Sequence, residues 1–192
     1  IVKRDCLSSL FLLLDNLNNI KFFWKFILTK DVKNTILQLK RVKIIINRIG
    51  GGKMKILFWS GTGNTETMAR LISKGIKDTG KEVELINISH NTIPDIKNES
   101  IIVLGCPSMG EEELEESEFL PFFESIEPYL NGKKVLLFGS YGWGNGQWMR
   151  NWEERVQDLG AVVSLDPIII NYAPEGDTET ECIDYGKQIA KL

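Results

Sequence analysis

From Met54 onward the chain switches repeatedly between two hydrophobic periods, and the switches mark out its elements. Short apolar runs at 55–59, 82–88, 101–105, 134–138 and 162–170, rich in Ile, Leu, Val and Phe, read as strands. The stretches between them have helical spacing. Residues 64–78 put Met68, Leu71, Ile72 and Ile76 on one inward side, 120–130 form a second helix, a third carries Trp148, Trp152 and Val156, and 178–191 form the last. Strands alternating with helices predict an α/β domain in which a five-stranded parallel sheet is covered on both faces, a three-layer α/β/α sandwich. The full 192 residues, 43% of them hydrophobic, are ample for one such core.

Candidate chemistry lies in the loops that leave the first, third and fourth strands. The first, Trp59-Ser60-Gly61-Thr62-Gly63-Asn64-Thr65, joins a strand to a helix and carries no positive charge. A loop that handles a nucleoside triphosphate has a Gly-x-x-x-x-Gly-Lys-Ser/Thr pattern, and neither that spacing nor the lysine is present. The dinucleotide fingerprint Gly-x-Gly-x-x-Gly fails as well, because Glu66 stands where its third glycine belongs. What remains is the hydroxyls of Ser60, Thr62 and Thr65, the amide of Asn64, and successive backbone N–H groups at a helix N-terminus. Such a nest holds a phosphate by hydrogen bonds and the helix dipole, and suits a terminal monoester that stays bound and is never transferred. The other two loops are Cys106-Pro107-Ser108-Met109-Gly110-Glu111 and Ser140-Tyr141-Gly142-Trp143-Gly144-Asn145-Gly146. Trp143, flanked by glycines, is placed to present an open indole face for stacking.

Ser-Gly-Thr-Gly-Asn-Thr after a first strand, with the two further loops in this order, resembles the flavodoxins, carriers of flavin mononucleotide (FMN), over residues 54–192. The uninterrupted strand expected at 162–170 places the resemblance with the short-chain branch. It implies the strand order 2-1-3-4-5, of which flavodoxin is itself the standard example, with FMN at the switch point between strands one and three. It also implies a cofactor site built from Ser60, Gly61, Thr62, Gly63, Asn64 and Thr65 at the phosphate, and from Ser108, Met109, Gly110, Glu111, Glu112, Ser140, Tyr141, Gly142, Trp143 and Gly144 around the ring. Trp143 and Met109 would cover its two faces, and Glu111 and Glu112 would lie at its N3 edge.

The Met109-Gly110 peptide would turn its carbonyl to flavin N5 on one-electron reduction, a turn that glycine eases because it has no Cβ. A carboxylate-rich surrounding disfavours an anionic reduced flavin, which makes the second potential strongly negative. The implied function is a low-potential one-electron carrier shuttling between semiquinone and hydroquinone, not an enzyme. It would be a cytoplasmic monomer with ferredoxin-type reductases and acceptors as partners. The alternative within the same fold is a two-electron, FMN-dependent NAD(P)H:quinone reductase, against which the acidic second loop argues. A phosphate-regulated signalling domain of similar topology needs aspartates where this chain reads Trp59-Ser60 and Gly105-Cys106.

Charge divides the chain. Residues 1–53 hold 11 Lys/Arg against three Asp/Glu, net +8, which leaves 12 against 23 in residues 54–192, net −11. The basic segment contains no Ala, Glu, Pro, Met, His or Tyr, and Gly50-Gly51-Gly52-Lys53 before Met54 back-translates readily to a purine-rich ribosome-binding sequence. Residues 1–53 are therefore expected to be translated upstream sequence or a disordered extension, with the domain beginning at Met54. A basic amphipathic extension and a targeting segment are the other readings, although Asp15, Asn16 and Asn18 interrupt the apolar run well short of the roughly 18 residues of a membrane span.

In the acidic part, six of the eight residues from Glu111 to Glu118 are glutamates. They read either as a solvated loop or as a docking face for basic rims on redox partners, and in both cases disfavour nucleic acid and anionic membranes. A single histidine, His90, and three cysteines far apart in sequence (Cys6, Cys106, Cys182) leave no material for a histidine triad, a zinc site or a disulfide framework.

Overall fold

The computed structural model describes residues 53–90 and 95–192; the expectations for the basic N-terminal segment lie outside the described residues. Strand β1 (Met54–Phe58) leads into helix α1 (Asn64–Asp78), followed by β2 (Val83–Asn87) and β3 (Ile101–Gly105). Helix α2 (Phe119–Ile126), β4 (Lys134–Tyr141), α3 (Gln147–Asp158), β5 (Val162–Val163), β6 (Ile168–Asn171) and α4 (Asp177–Ile189) complete the chain. All pairings are parallel and the strand order is β2-β1-β3-β4-β5, with β6 also on β4. This is the expected doubly wound sheet of order 2-1-3-4-5.

In the three central strands both sets of alternating residues are buried. Leu57, Leu104 and Leu137 face α2 and α3 with Phe119, Phe123, Trp148 and Trp152. Ile56, Val103 and Leu136 face α1 and α4 with Met68, Ile72, Cys182 and Ile189. Helices on both faces are what make continuous apolar runs, rather than alternation, the right sequence for these strands. On the first face Trp152 meets Phe119 and Phe123 edge-on, at centroid distances of 5.2 and 5.9 Å. On the second, α1 and α4 cross at Gly75 and Gly186, where an added Cβ would run into the carbonyl oxygens of Ile183 and Ile72 respectively.

Three elements depart from the sequence expectation by more than a residue or two at an end, and one core position differs. Strand β4 continues three residues past Phe138 because β6 pairs with Phe138–Tyr141 on one side while Ser108 N–H donates to Ser140 O on the other. The last strand is two pieces along one edge. Four residues, 164–167, span the distance that β4 covers with Leu136 and Leu137, and Pro167 has no N–H for the ladder. The helix expected at 120–130 ends at Ile126 and tightens to a 3₁₀ turn, Glu127–Tyr129, because Pro128 can neither donate nor continue an α-helix. Leu71 is half-buried; Ala69 and Ser73 are buried in its place.

Candidate functional site

The three singled-out loops converge at the carboxyl edge of the sheet, above β1, β3 and β4. In the first, Gly63 occupies the N-cap of α1 with φ 92°, a backbone that suits glycine. Ser60 Oγ accepts from the Gly63 and Glu66 N–H groups at 3.1 and 3.2 Å, so this hydroxyl shapes the turn. The Thr65 hydroxyl, on a residue only 1% exposed, shares a hydrogen bond of 2.9 Å with Ser140 Oγ and so ties the first loop to the end of β4. Thr62 is exposed. Among the described residues no protein acceptor reaches the N–H groups of Thr62, Asn64 and Thr65. The first helical turn therefore presents open donors and the positive end of its dipole, with no basic side chain in the loop.

The second loop is a tight hairpin. Met109 and Glu113 exchange both backbone hydrogen bonds, at 2.9 and 2.8 Å, around Gly110, Glu111 and Glu112. Gly110 has φ 49° and Glu112 φ 59°, the second uncommon for a residue with a side chain. Glu112 is held there by its carboxylate, whose Oε1 accepts from the N–H groups of Asn145, Gly146 and Gln147 at 3.1, 2.7 and 2.8 Å. These amides are the N-terminus of α3, so Glu112 caps that helix from the neighbouring loop. Its carboxylate is thus engaged within the protein, a role that differs from the ring-edge role expected for it. Glu111 is exposed.

In the third loop Ser140 is buried, Tyr141 is half-buried with its ring 5.6 Å from that of Trp148, and Gly142, Trp143 and Gly144 are exposed. Ser108 is held to the end of β4 through its N–H. Gly144 lies so close to the Glu112 side chain that a Cβ there would overlap its carboxylate. Arg150 braces the loop from α3, donating to Asn145 O and Gln147 Oε1 at 2.8 Å each and to the Asn145 side chain.

The glutamate run divides in a way sequence did not announce. Glu115 is 6% exposed and accepts from the N–H groups of Ser117, Glu118 and Phe119 at 2.9, 2.8 and 2.7 Å and from the Ser117 hydroxyl, satisfying the start of α2. Burial pushes its pKa up, but these donors together outweigh it and hold the carboxyl below its ordinary value. Glu118 accepts from Trp59 Nε1 and ties the run to the end of β1. Cys106, wholly buried at the start of the second loop, has its thiol pushed far up by burial, which disfavours the thiolate.

Residues 56–186 match the family model described as Flavodoxin. The chain belongs to the flavodoxin family. It is 55% identical over 139 residues to the flavodoxin of Clostridium beijerinckii, covering 72% of this chain and all of that one. It is 46% identical to the flavodoxin of Megasphaera elsdenii, over 72% of this chain and 98% of the relative. The solved structure of the two-electron reduced Megasphaera elsdenii flavodoxin matches with a TM-score of 0.65 at 45% identity, over 72% of this chain and 99% of that one. Oxidised flavodoxin 1 of Bacillus cereus matches with the same TM-score at 30% identity, over 73% and 98%.

As a flavodoxin the protein is an FMN-based electron carrier that works with partner redox proteins. The residues present fit FMN. The open amides of α1 suit its phosphate, and three of the five exposed large hydrophobic residues among those described, Met109, Trp143 and Tyr172, sit on the loops at this one edge. Among the described residues no helix is long and apolar enough to cross a membrane.

Proposed function

We propose that this flavodoxin is a low-potential one-electron carrier, rather than an enzyme, with FMN held non-covalently across the three loops. The observation that carries the reading is the pairing of an uncharged, open amide nest on α1 with the bare side chains of Trp143, 62% exposed, and Met109, 41% exposed. The flavin supplies a centre that takes electrons one at a time. The N–H groups of Thr62, Asn64 and Thr65 hold its phosphate, aided by the α1 dipole. Trp143 and Met109 keep water from the ring faces, and stacking on the indole contributes about 1 kcal/mol beyond burial. Ser108, Gly110, Tyr141 and Gly142 would offer backbone groups to the ring's edge, and the Met109 carbonyl would have to turn out of its 2.8 Å bond with Glu113 N–H to accept from N5. Glu111, and Glu112 fixed at the head of α3, would place negative charge where it disfavours an anionic ring.

The same reading makes the protein a cytoplasmic monomer whose partners, ferredoxin-type reductases and acceptors, present basic rims to the acidic second loop. Anaerobic potentiometric titration of the FMN-loaded protein tests it. Two resolved one-electron waves are expected, the second well below the first. A single two-electron wave would overturn the carrier reading in favour of a quinone reductase.

A further inference from the structure

Tyr172 is held at φ 58°, a backbone conformation that penalises a side chain, and yet the residue is 62% exposed. Neither core packing nor ordinary backbone preference accounts for a large aromatic residue at that place, where Gly or Asn carries less strain. The surroundings do account for it. Strand β6 runs beside β4 until Asn171 stands opposite Tyr141, and Tyr172 N–H then donates to Tyr141 O at 2.7 Å. Asn171 Nδ2 lies 3.3 and 3.4 Å from the carbonyl oxygens of Tyr141 and Gly142. The Tyr172 ring covers the open side of Gly142, its Cε1 lying 3.5 Å from the position a Cβ would take. The backbone that launches Trp143 is therefore gripped from behind by two consecutive residues of a different element.

We propose that Asn171 and Tyr172 are positioning residues that set the aim of Trp143, and that the strained conformation of Tyr172 is retained because it lays the ring on Gly142. This rests on the reading that Trp143 stacks on the flavin. The left-handed backbone turns the chain out of the sheet at the point where the ring can reach the third loop. With an ordinary negative φ the side chain would leave in another direction and the Gly142 face would be bare.

The test uses the full chain, freed of FMN and then titrated with it, following quenching of flavin fluorescence; thermal unfolding of the FMN-free form is measured alongside. Tyr172→Asn keeps a residue at ease in the left-handed region and removes the ring. FMN affinity is expected to fall about three- to tenfold, the size of one aromatic contact, while the FMN-free protein unfolds at the same temperature or higher. Tyr172→Phe should match wild type in both, because the ring and not the hydroxyl makes the contact, and Asn171→Ala should weaken FMN in the same direction. Unchanged FMN affinity in Tyr172→Asn, or a loss matched by a lower unfolding temperature of the FMN-free form, would overturn the proposal. Trp143→Ala separates the two layers of inference. If it fails to weaken FMN, the stacking reading itself is wrong; if it weakens FMN while Tyr172→Asn does not, only the positioning role falls.

Discussion

Replacing Glu112 with alanine removes three hydrogen bonds to one carboxylate oxygen, of 3.1, 2.7 and 2.8 Å, and uncaps α3. A side-chain acceptor at a helix N-terminus contributes about 1 kcal/mol. A negative charge there adds about 0.5 kcal/mol at a partly exposed site. Both act through the same three amides, so they overlap, and a total of about 1.5 kcal/mol is expected for Glu112→Ala. Glu112→Gln keeps an acceptor and loses the charge, for about 0.5 kcal/mol. Glu112→Gly loses the same bonds as alanine but relieves a strained backbone, which offsets about 1 kcal/mol, so it should lie above alanine.

Thermal unfolding of the FMN-free protein followed by far-ultraviolet circular dichroism is the assay, because bound cofactor would add its own stabilisation. For a domain of this size about 1 kcal/mol corresponds to roughly 3–4 °C, so alanine should unfold about 5 °C below wild type and glutamine about 2 °C below. An alanine variant within about 1 °C of wild type would show that the carboxylate is not the clamp between the second and third loops.

Three other substitutions probe separate parts of the chain. Ser73→Ala should raise the unfolding temperature by about 3 °C, because it removes a buried hydroxyl without a partner from α1 and supplies a better helix former; a fall would mean the hydroxyl is satisfied. Glu115→Gln should be less stable than wild type at pH 7, with the gap closing as pH falls. A carboxyl whose folded value is depressed stabilises the fold above its ordinary 4.5 and loses that contribution below it, so a gap constant down to acid pH would contradict the reading. Gly110→Val should lower the first reduction potential by about 45 mV, the equivalent of about 1 kcal/mol for one hydrogen bond to N5. An added Cβ there meets nothing within 4 Å, so the penalty lies in the backbone angle alone, and an unchanged potential would detach the Met109-Gly110 peptide from redox control.

Periodicity located the layers well because burial on both faces writes itself into the chain. α1 and β3 have the bounds expected from hydrophobic spacing, and Trp148, Trp152 and Val156 lie in the core as their spacing implied. Boundaries failed where a neighbouring element, not local sequence, decides. β4 is longer because β6 arrives beside it, and β5 ends early because four residues must fit where two would suffice. The loops were recognisable as a group, but what each side chain touches was not. Nothing in Ser-Gly-Thr-Gly-Asn-Thr says that the Thr65 hydroxyl turns to Ser140, 75 residues on, and not outward. Asn171 and Tyr172 carried no signal, since their contacts with the third loop exist only once β6 is in register. Gly75 and Gly186 did carry one, because a glycine inside an amphipathic helix implies close approach of another backbone.

The glutamate run shows why counting charges would misjudge the proposed docking face. Of its six carboxylates, Glu112 is fastened to α3, Glu115 is buried under the start of α2 and Glu118 is bonded to Trp59. Glu118 is exposed as well, but only Glu111, Glu113 and Glu116 are exposed with a carboxylate that makes no bond among the described residues. The six do not contribute alike to association. A field felt across about 8 Å of physiological salt sums fixed and mobile charges, so all those near the surface steer an approaching cation. In the proposed docking role, only the three unbonded ones would be at liberty to close onto a partner's lysines and arginines. The fastened glutamates serve a different end, holding the second loop between the end of β1 and the head of α3 so that Met109 keeps its place. Site rigidity and the charge proposed for docking are thus drawn from one stretch of sequence, with burial and a handful of backbone N–H groups deciding which glutamate is free for which.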